Sequence, residues 1–215
     1  MKTCKQKFIY IMVSSTGTRF GRIIRYATKS SFNHVSISFD ESMKQLYSFG
    51  RYCHCMPFIG GLVNETQDRF TLRRGAEVEI GVYKIPVSDN AFFKGLDRIA
   101  EIAADDEYAY NLLSAITFCV KGGTEHYKTY TCSEFVSHLL RLMRPDLAFG
   151  KADCKVLPDD FVEQLGAYEY YRGPLNGYGK FAESVDKRYF NKFRPRVRWS
   201  KTARFILGRY LNRRG

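Results

Sequence analysis

Apolar side chains recur every second residue, or in short runs, along the first half of the chain. Along the second half they recur every third and fourth. Residues 8–13 form an apolar run rich in β-branched and aromatic side chains, which predicts a buried strand. Phe20, Ile23, Ile24 and Ala27 fall at helical spacing and predict an amphipathic helix. Val35, Ile37 and Phe39 alternate with His34, Ser36 and Ser38, the pattern of a half-buried strand with its polar set on the other face. Asp40-Glu41-Ser42 predicts the turn and residues 45–49 the returning strand. Gly60-Gly61 breaks the chain before an extended piece near Leu62 and Val63. Val78, Ile80 and Val82 alternate as a strand that Pro86 should stop.

The period then changes. Asn90 is a candidate cap for a helix carrying Phe92, Phe93, Leu96, Ile99 and Ala103. A second helix is expected over residues 108–120, ending at Gly122-Gly123. A third starts at Thr131 and ends before Pro145, and a short one follows Pro158 and stops at Gly166. Residues 168–172 predict a last strand. Strands first and helices after give an α+β plan.

Composition changes this picture in one place. The net charge of +12 is not spread evenly, because residues 187–215 hold eleven Lys/Arg and no Asp/Glu, leaving 23 basic against 22 acidic side chains before them. The plan is therefore a near-neutral domain over residues 1–180 and a basic, aromatic tail over 181–215, helical in part. Basic residues interleaved with aromatics, Trp199 and Phe205 among them, suit an anionic membrane surface or nucleic acid through residues 187–214. The alternative is that the aromatics pack on the domain while Lys and Arg face water. Six cysteines at wide spacing suggest no disulfide framework, hence a reducing compartment, the cytoplasm, with the tail allowing a peripheral place at a membrane. The start of the chain reads as a strand rather than a leader, and no window approaches a membrane span.

One cysteine has a physical reason to be reactive. Thr131-Cys132-Ser133-Glu134 fits a capping box, with Thr131 as N-cap and Glu134 three residues on, followed by Phe135, Val136, Leu139, Leu140 and Met143 at helical spacing. Cys132 then occupies the first helical position, where free N–H groups and the helix dipole favour a thiolate. A thiol nucleophile needs a base within reach, oriented by a third group. His138 lies more than a turn along the same helix, and His54 sits between two cysteines. Pattern alone leaves His34, on its strand, and His126, in the preceding loop, as candidates.

The segments Asn33-His34-Val35-Ser36-Ile37-Ser38, Leu46-Tyr47-Ser48-Phe49-Gly50-Arg51 and Tyr130-Thr131-Cys132-Ser133-Glu134-Phe135-Val136 together resemble the circularly permuted papain-like amidases, the YiiX/YebB-like branch of the NlpC-type superfamily. The lecithin–retinol acyltransferase family is similar in its permutation. The resemblance covers roughly residues 8–170 and implies an antiparallel sheet packed on a helical group, with the histidine strand preceding the cysteine helix. It implies Cys132 as nucleophile and His34 as base. Ser48 falls at the matching position for the third residue, where a carboxylate is common, and Asp40 and Glu65 are alternatives. Tyr130, with the backbone N–H of Cys132, is the implied oxyanion stabiliser. The implied activity is cleavage of an amide in a small peptide or amino-acid conjugate through an acyl-enzyme. An ester or thioester, or transfer to an acceptor on lipid-type substrates, would use the same residues. A binding module that kept the fold and lost the chemistry is the other expectation, suggested by Ser48. No cofactor and no obligate protein partner is expected. Cys53-His54-Cys55 lacks a second pair to complete a tetrahedral metal site, so no metal is expected either. The Gly-Gly pairs lack the Lys of a phosphate loop.

Overall fold

The run at residues 8–13 becomes the inner strand β1 (Lys7–Ser14) because both of its faces are apolar: Ile9, Ile11 and Val13 on one, Tyr10 and Met12 on the other. The computed structural model describes residues 6–17, 30–54, 59–72, 77–111, 114, 123–182 and 185–190. The helix expected around Phe20–Ala27, most of the one expected over 108–120, Cys4, Cys55 and Cys119, and the chain beyond 190 lie outside these residues.

Strand β1 pairs antiparallel with β2 (His34–Ser38) on one side and with β5 (Glu79–Val87) on the other. The strands β3 (Leu46–Arg51) and β4 (Gly60–Asn64) extend the sheet beyond β2, and β8 (Glu169–Pro174) extends it beyond β5. The order is β4-β3-β2-β1-β5-β8 with every pair antiparallel. A separate two-stranded parallel pair joins β6 (Ala109–Tyr110) to β7 (Thr129–Tyr130).

Helices cover the sheet unequally. A short helix α1 (Gln67–Thr71) lies on one face, where Phe70 joins Met12, Leu46, Ile80 and Val82. On the other face α2 (Asp89–Ala103), α3 (Cys132–Met143) and α4 (Pro158–Gln164) bring Ile99, Phe135, Leu139 and Phe161 onto Ile9, Ile37, Phe49 and Ile85. Helices α2 and α3 approach closely at Gly95, where a Cβ would stand 2.3 Å from Met143 Sδ. The result is a mixed α+β fold. No helix among the described residues is long and apolar enough to cross a membrane.

Several expectations are corrected. Strand β2 is buried on both faces; on the polar face Ser36 donates to Glu65 and Ser38 to Asp40 O. Pro86 does not stop β5 but lies within it, opposite Phe8. Pairing with β8 ends at Tyr83, so the outer edge of β5 is open at Pro86, where a missing N–H costs nothing. The carbonyl of Pro86 accepts instead from Arg144 Nη1 at 2.7 Å. Helix α2 is capped by Ser88, whose Oγ accepts from the Ala91 N–H, not by Asn90. Phe93 and Ala103 point outward from it. Residues 109–110 are strand rather than the start of a helix, and Asn111 Oδ1 accepts the Ser114 N–H at 3.1 Å. Of the segment expected as a tail, the described residues 181, 182 and 185–190 lie on the domain. The Ala182 N–H donates to Ser42 O, and a one-turn helix α5 (Lys187–Phe190) buries Tyr189.

Candidate functional site

The capping box forms as the sequence requires. Thr131 Oγ1 accepts from the Glu134 N–H at 3.2 Å, and the Glu134 carboxylate accepts from the Thr131 N–H at 3.0 Å. Cys132 is consequently the first residue of α3, with its side chain 8% exposed at the rim of the core. Burial of the Glu134 carboxyl pushes its pKa up to about 7 against the pull of the Thr131 amide and the Asn111 side chain.

His34 opens β2 at the same end of the sheet. Its Nε2 stands 3.0 and 2.9 Å from the two oxygens of Glu65, the residue that follows β4. The Ser36 hydroxyl, two residues along the same face of β2, donates to the same carboxylate. With Nε2 held there, Nδ1 is the nitrogen left to face Cys132, and each group's charge acts on the other. Burial opposes the thiolate, but the His34 charge and hydrogen bond, the Val35 N–H and the Ser133 hydroxyl outweigh it, and the Cys132 pKa is lowered. Burial likewise opposes the imidazolium, and the charges on Glu65 and Cys132 outweigh it, so the His34 pKa is raised. Against its own burial, Glu65 is held ionised by His34, by the Arg69 charge and by Ser36. The directions of the three shifts favour alternating charge along thiol, imidazole and carboxyl, the arrangement that suits a thiol nucleophile with a proton donor beside it.

Glu65, not Ser48, is the partner of His34. Ser48 is fully buried and its hydroxyl donates to Val35 O at 2.8 Å, an acceptor nearer than the imidazole. Asp40 caps its own turn, accepting from the Gln45 and Lys44 N–H groups at 2.8 and 3.1 Å. His126 meets Thr124 Oγ1 at 3.1 Å. His54 lies against Tyr189 and Phe190, and His138 beside Arg98.

Tyr130 also departs from expectation. Its ring stacks on Tyr108 with centroids 5.9 Å apart and tilts on His138 at 5.6 Å, so it lies along the side of α3 that carries His138. Its neighbour in the parallel pair is Tyr110. Burial raises the Tyr110 pKa, the charge on Cys132 raises it further and Arg51 pulls it back, which keeps its hydroxyl a neutral O–H donor. Sequence reasoning missed Tyr110 because residues 108–120 read as helix. The signal was present: two aromatics alternating about Ala109, then Asn111, a good N-cap.

Arg69 backs the carboxylate. Its guanidinium is buried, donates to Arg51 O at 2.5 Å and to Asp186 at 3.1 Å, and lies 4.2 Å over the Tyr189 ring. The segment 185–190 is thereby fastened behind the site. Gly61 serves close approach, since a Cβ there would meet Tyr52 Oη at 2.1 Å and Tyr108 O at 3.3 Å. No group of metal-ligating side chains occurs among the described residues. Cys53, Cys132 and Cys154 are free thiols. No known family model matches the chain, and no curated protein is significantly similar to it.

Proposed function

We propose that the protein is a cysteine hydrolase of the permuted papain-like kind that cleaves an amide through an acyl-enzyme on Cys132. The observation that carries this reading is the Cys132 thiol at a helix start, against an imidazole whose other nitrogen is gripped by Glu65. The thiolate attacks the carbonyl carbon. Charge developing on the carbonyl oxygen is met by the Cys132 N–H and the Tyr110 hydroxyl. The imidazolium of His34 gives its proton to the leaving amine, and the neutral imidazole then takes a proton from the water that cleaves the thioester. Glu65 keeps the ring oriented and stabilises its charge. An ester or thioester, or an acceptor other than water, suits the same groups. The inactive-module reading rested on Ser48 and loses that support with Glu65 in place.

The free thiols favour a reducing compartment, for which we propose the cytoplasm, and the basic stretch 187–214 favours an anionic surface as partner. The test is trapping. With limiting iodoacetamide at pH 6, Cys132 is expected to alkylate roughly 10²-fold faster than Cys53, since an ordinary thiol is mostly protonated there. Equal labelling of the two by mass spectrometry would remove the basis of the proposal.

A further inference from the structure

We propose that Arg51 is a recognition residue for a carboxylate on the substrate, placed beside the scissile bond. The proposal deepens the reading of Cys132 as nucleophile and rests on it. Arg51 ends β3 at the end of the sheet where His34 begins the antiparallel β2. It lies two residues beyond Phe49, on the same side of the strand. The Phe49 ring packs on Tyr130 and Phe135 at 5.2 and 5.0 Å, so that side is the one facing the start of α3. Strand β6 crosses the same corner through Tyr108 and Gly61, bringing Tyr110 there. The charge of Arg51 is felt at the Tyr110 hydroxyl, as is the charge of Cys132.

Arg51 differs from the other guanidiniums around it. Arg69, Arg98, Arg141, Arg144 and Arg172 each pair with a carboxylate. Among the described residues Arg51 has none; its donors reach only Tyr189 Oη at 3.2 Å and His54 O at 3.4 Å. It is partly exposed and, among the described residues, carries a charge that no carboxylate matches, at the end of the sheet where His34 begins β2. A planar guanidinium fork matches a carboxylate through two parallel hydrogen bonds. A single carboxylate therefore suits the spare donors, and the substrate class is an amide with an acid group close to its carbonyl.

Two alkylating agents of nearly equal shape test this, because iodoacetate carries the acid and iodoacetamide does not. In each, the Cys132 sulfur bonds the methylene carbon as iodide leaves. The ratio of their rates on Cys132 is measured at pH 6 in the full chain, in Arg51→Gln and in Tyr189→Phe. The last variant removes the Arg51–Tyr189 bond but keeps the guanidinium. Arg51→Gln is expected to lower the iodoacetate-to-iodoacetamide ratio about fivefold, the weight of one unit charge a few ångströms from a wet site. Tyr189→Phe should leave the ratio unchanged. An unchanged ratio in Arg51→Gln would overturn the proposal, as would equal slowing of both reagents, the mark of a structural residue. If the unmodified protein reacts with neither reagent faster at Cys132 than at Cys53, the nucleophile reading itself fails, a result distinct from either.

Discussion

His34 Nε2 lies within 3.0 Å of both carboxylate oxygens of Glu65, a residue 31 positions downstream that reaches the imidazole only because β3 and β4 fold back on β2. The contact fixes the ring and supplies charge that a serine could not. Glu65→Gln is expected to lower the Cys132 alkylation rate at pH 6 by about 10²-fold or more, as loss of an orienting carboxylate does elsewhere. Ser48→Ala should leave that rate alone and cost about 1 kcal/mol in urea denaturation, the value of its bond to Val35 O.

Glu134 gives a stability prediction with a definite sign. Its folded pKa of about 7 lies above the ordinary 4.5. Between those values the folded chain binds more protons than the unfolded one, so stability falls as pH rises through that interval. Gln also serves in a capping box. Glu134→Gln should therefore match the parent below pH 4.5 and exceed it above pH 7, by up to ~3 kcal/mol. Thermal melts at pH 4.5 and 8 check this.

The docked segment 185–190 predicts a coupling. Asp186 holds one side of the Arg69 guanidinium, whose charge also reaches Glu65. Asp186→Ala should cost about 1–3 kcal/mol by leaving a buried cation short of its partner. It should also slow Cys132 alkylation, since Arg69 is then drawn to Glu65 in competition with His34. Melting temperature and alkylation rate, measured together, read both effects.

Ser14 offers a simpler case. Its hydroxyl is fully buried, on the strand position opposite His34, and has no hydrogen-bond partner among the described residues. Ser14→Ala should be neutral or stabilising in urea denaturation, because it removes an unsatisfied polar atom. A loss of stability would show that the hydroxyl is bonded in solution.

What could be read from the sequence was local. The capping box around Cys132 uses four consecutive residues, and its geometry follows from them alone. The strand carrying His34 was legible from alternation, but not the burial of its polar face, which depends on Phe70 and the chain around Glu65 arriving from elsewhere. The resemblance put Ser48 at the position of the third residue. It could not say that a hydroxyl takes the nearest carbonyl while a longer carboxylate reaches the ring. Tyr110 was missed for a similar reason: that residues 109–110 pair as a strand with residues 129–130 is set by tertiary packing. Pro86 misled because an open strand edge cannot be seen without the sheet.

The central claim is that Cys132 and His34 form a thiolate–imidazolium pair, and the pH profile of Cys132 alkylation tests it most directly. The folded thiol pKa is lowered and the imidazole pKa raised, so the pair is charged between the two values. Reactivity with iodoacetamide should already be high at pH 6. In His34→Ala it should rise only near the ordinary thiol pKa of about 8.5, because burial is then opposed by the Val35 N–H and the Ser133 hydroxyl alone. A profile that rises near 8.5 in both proteins would contradict the account.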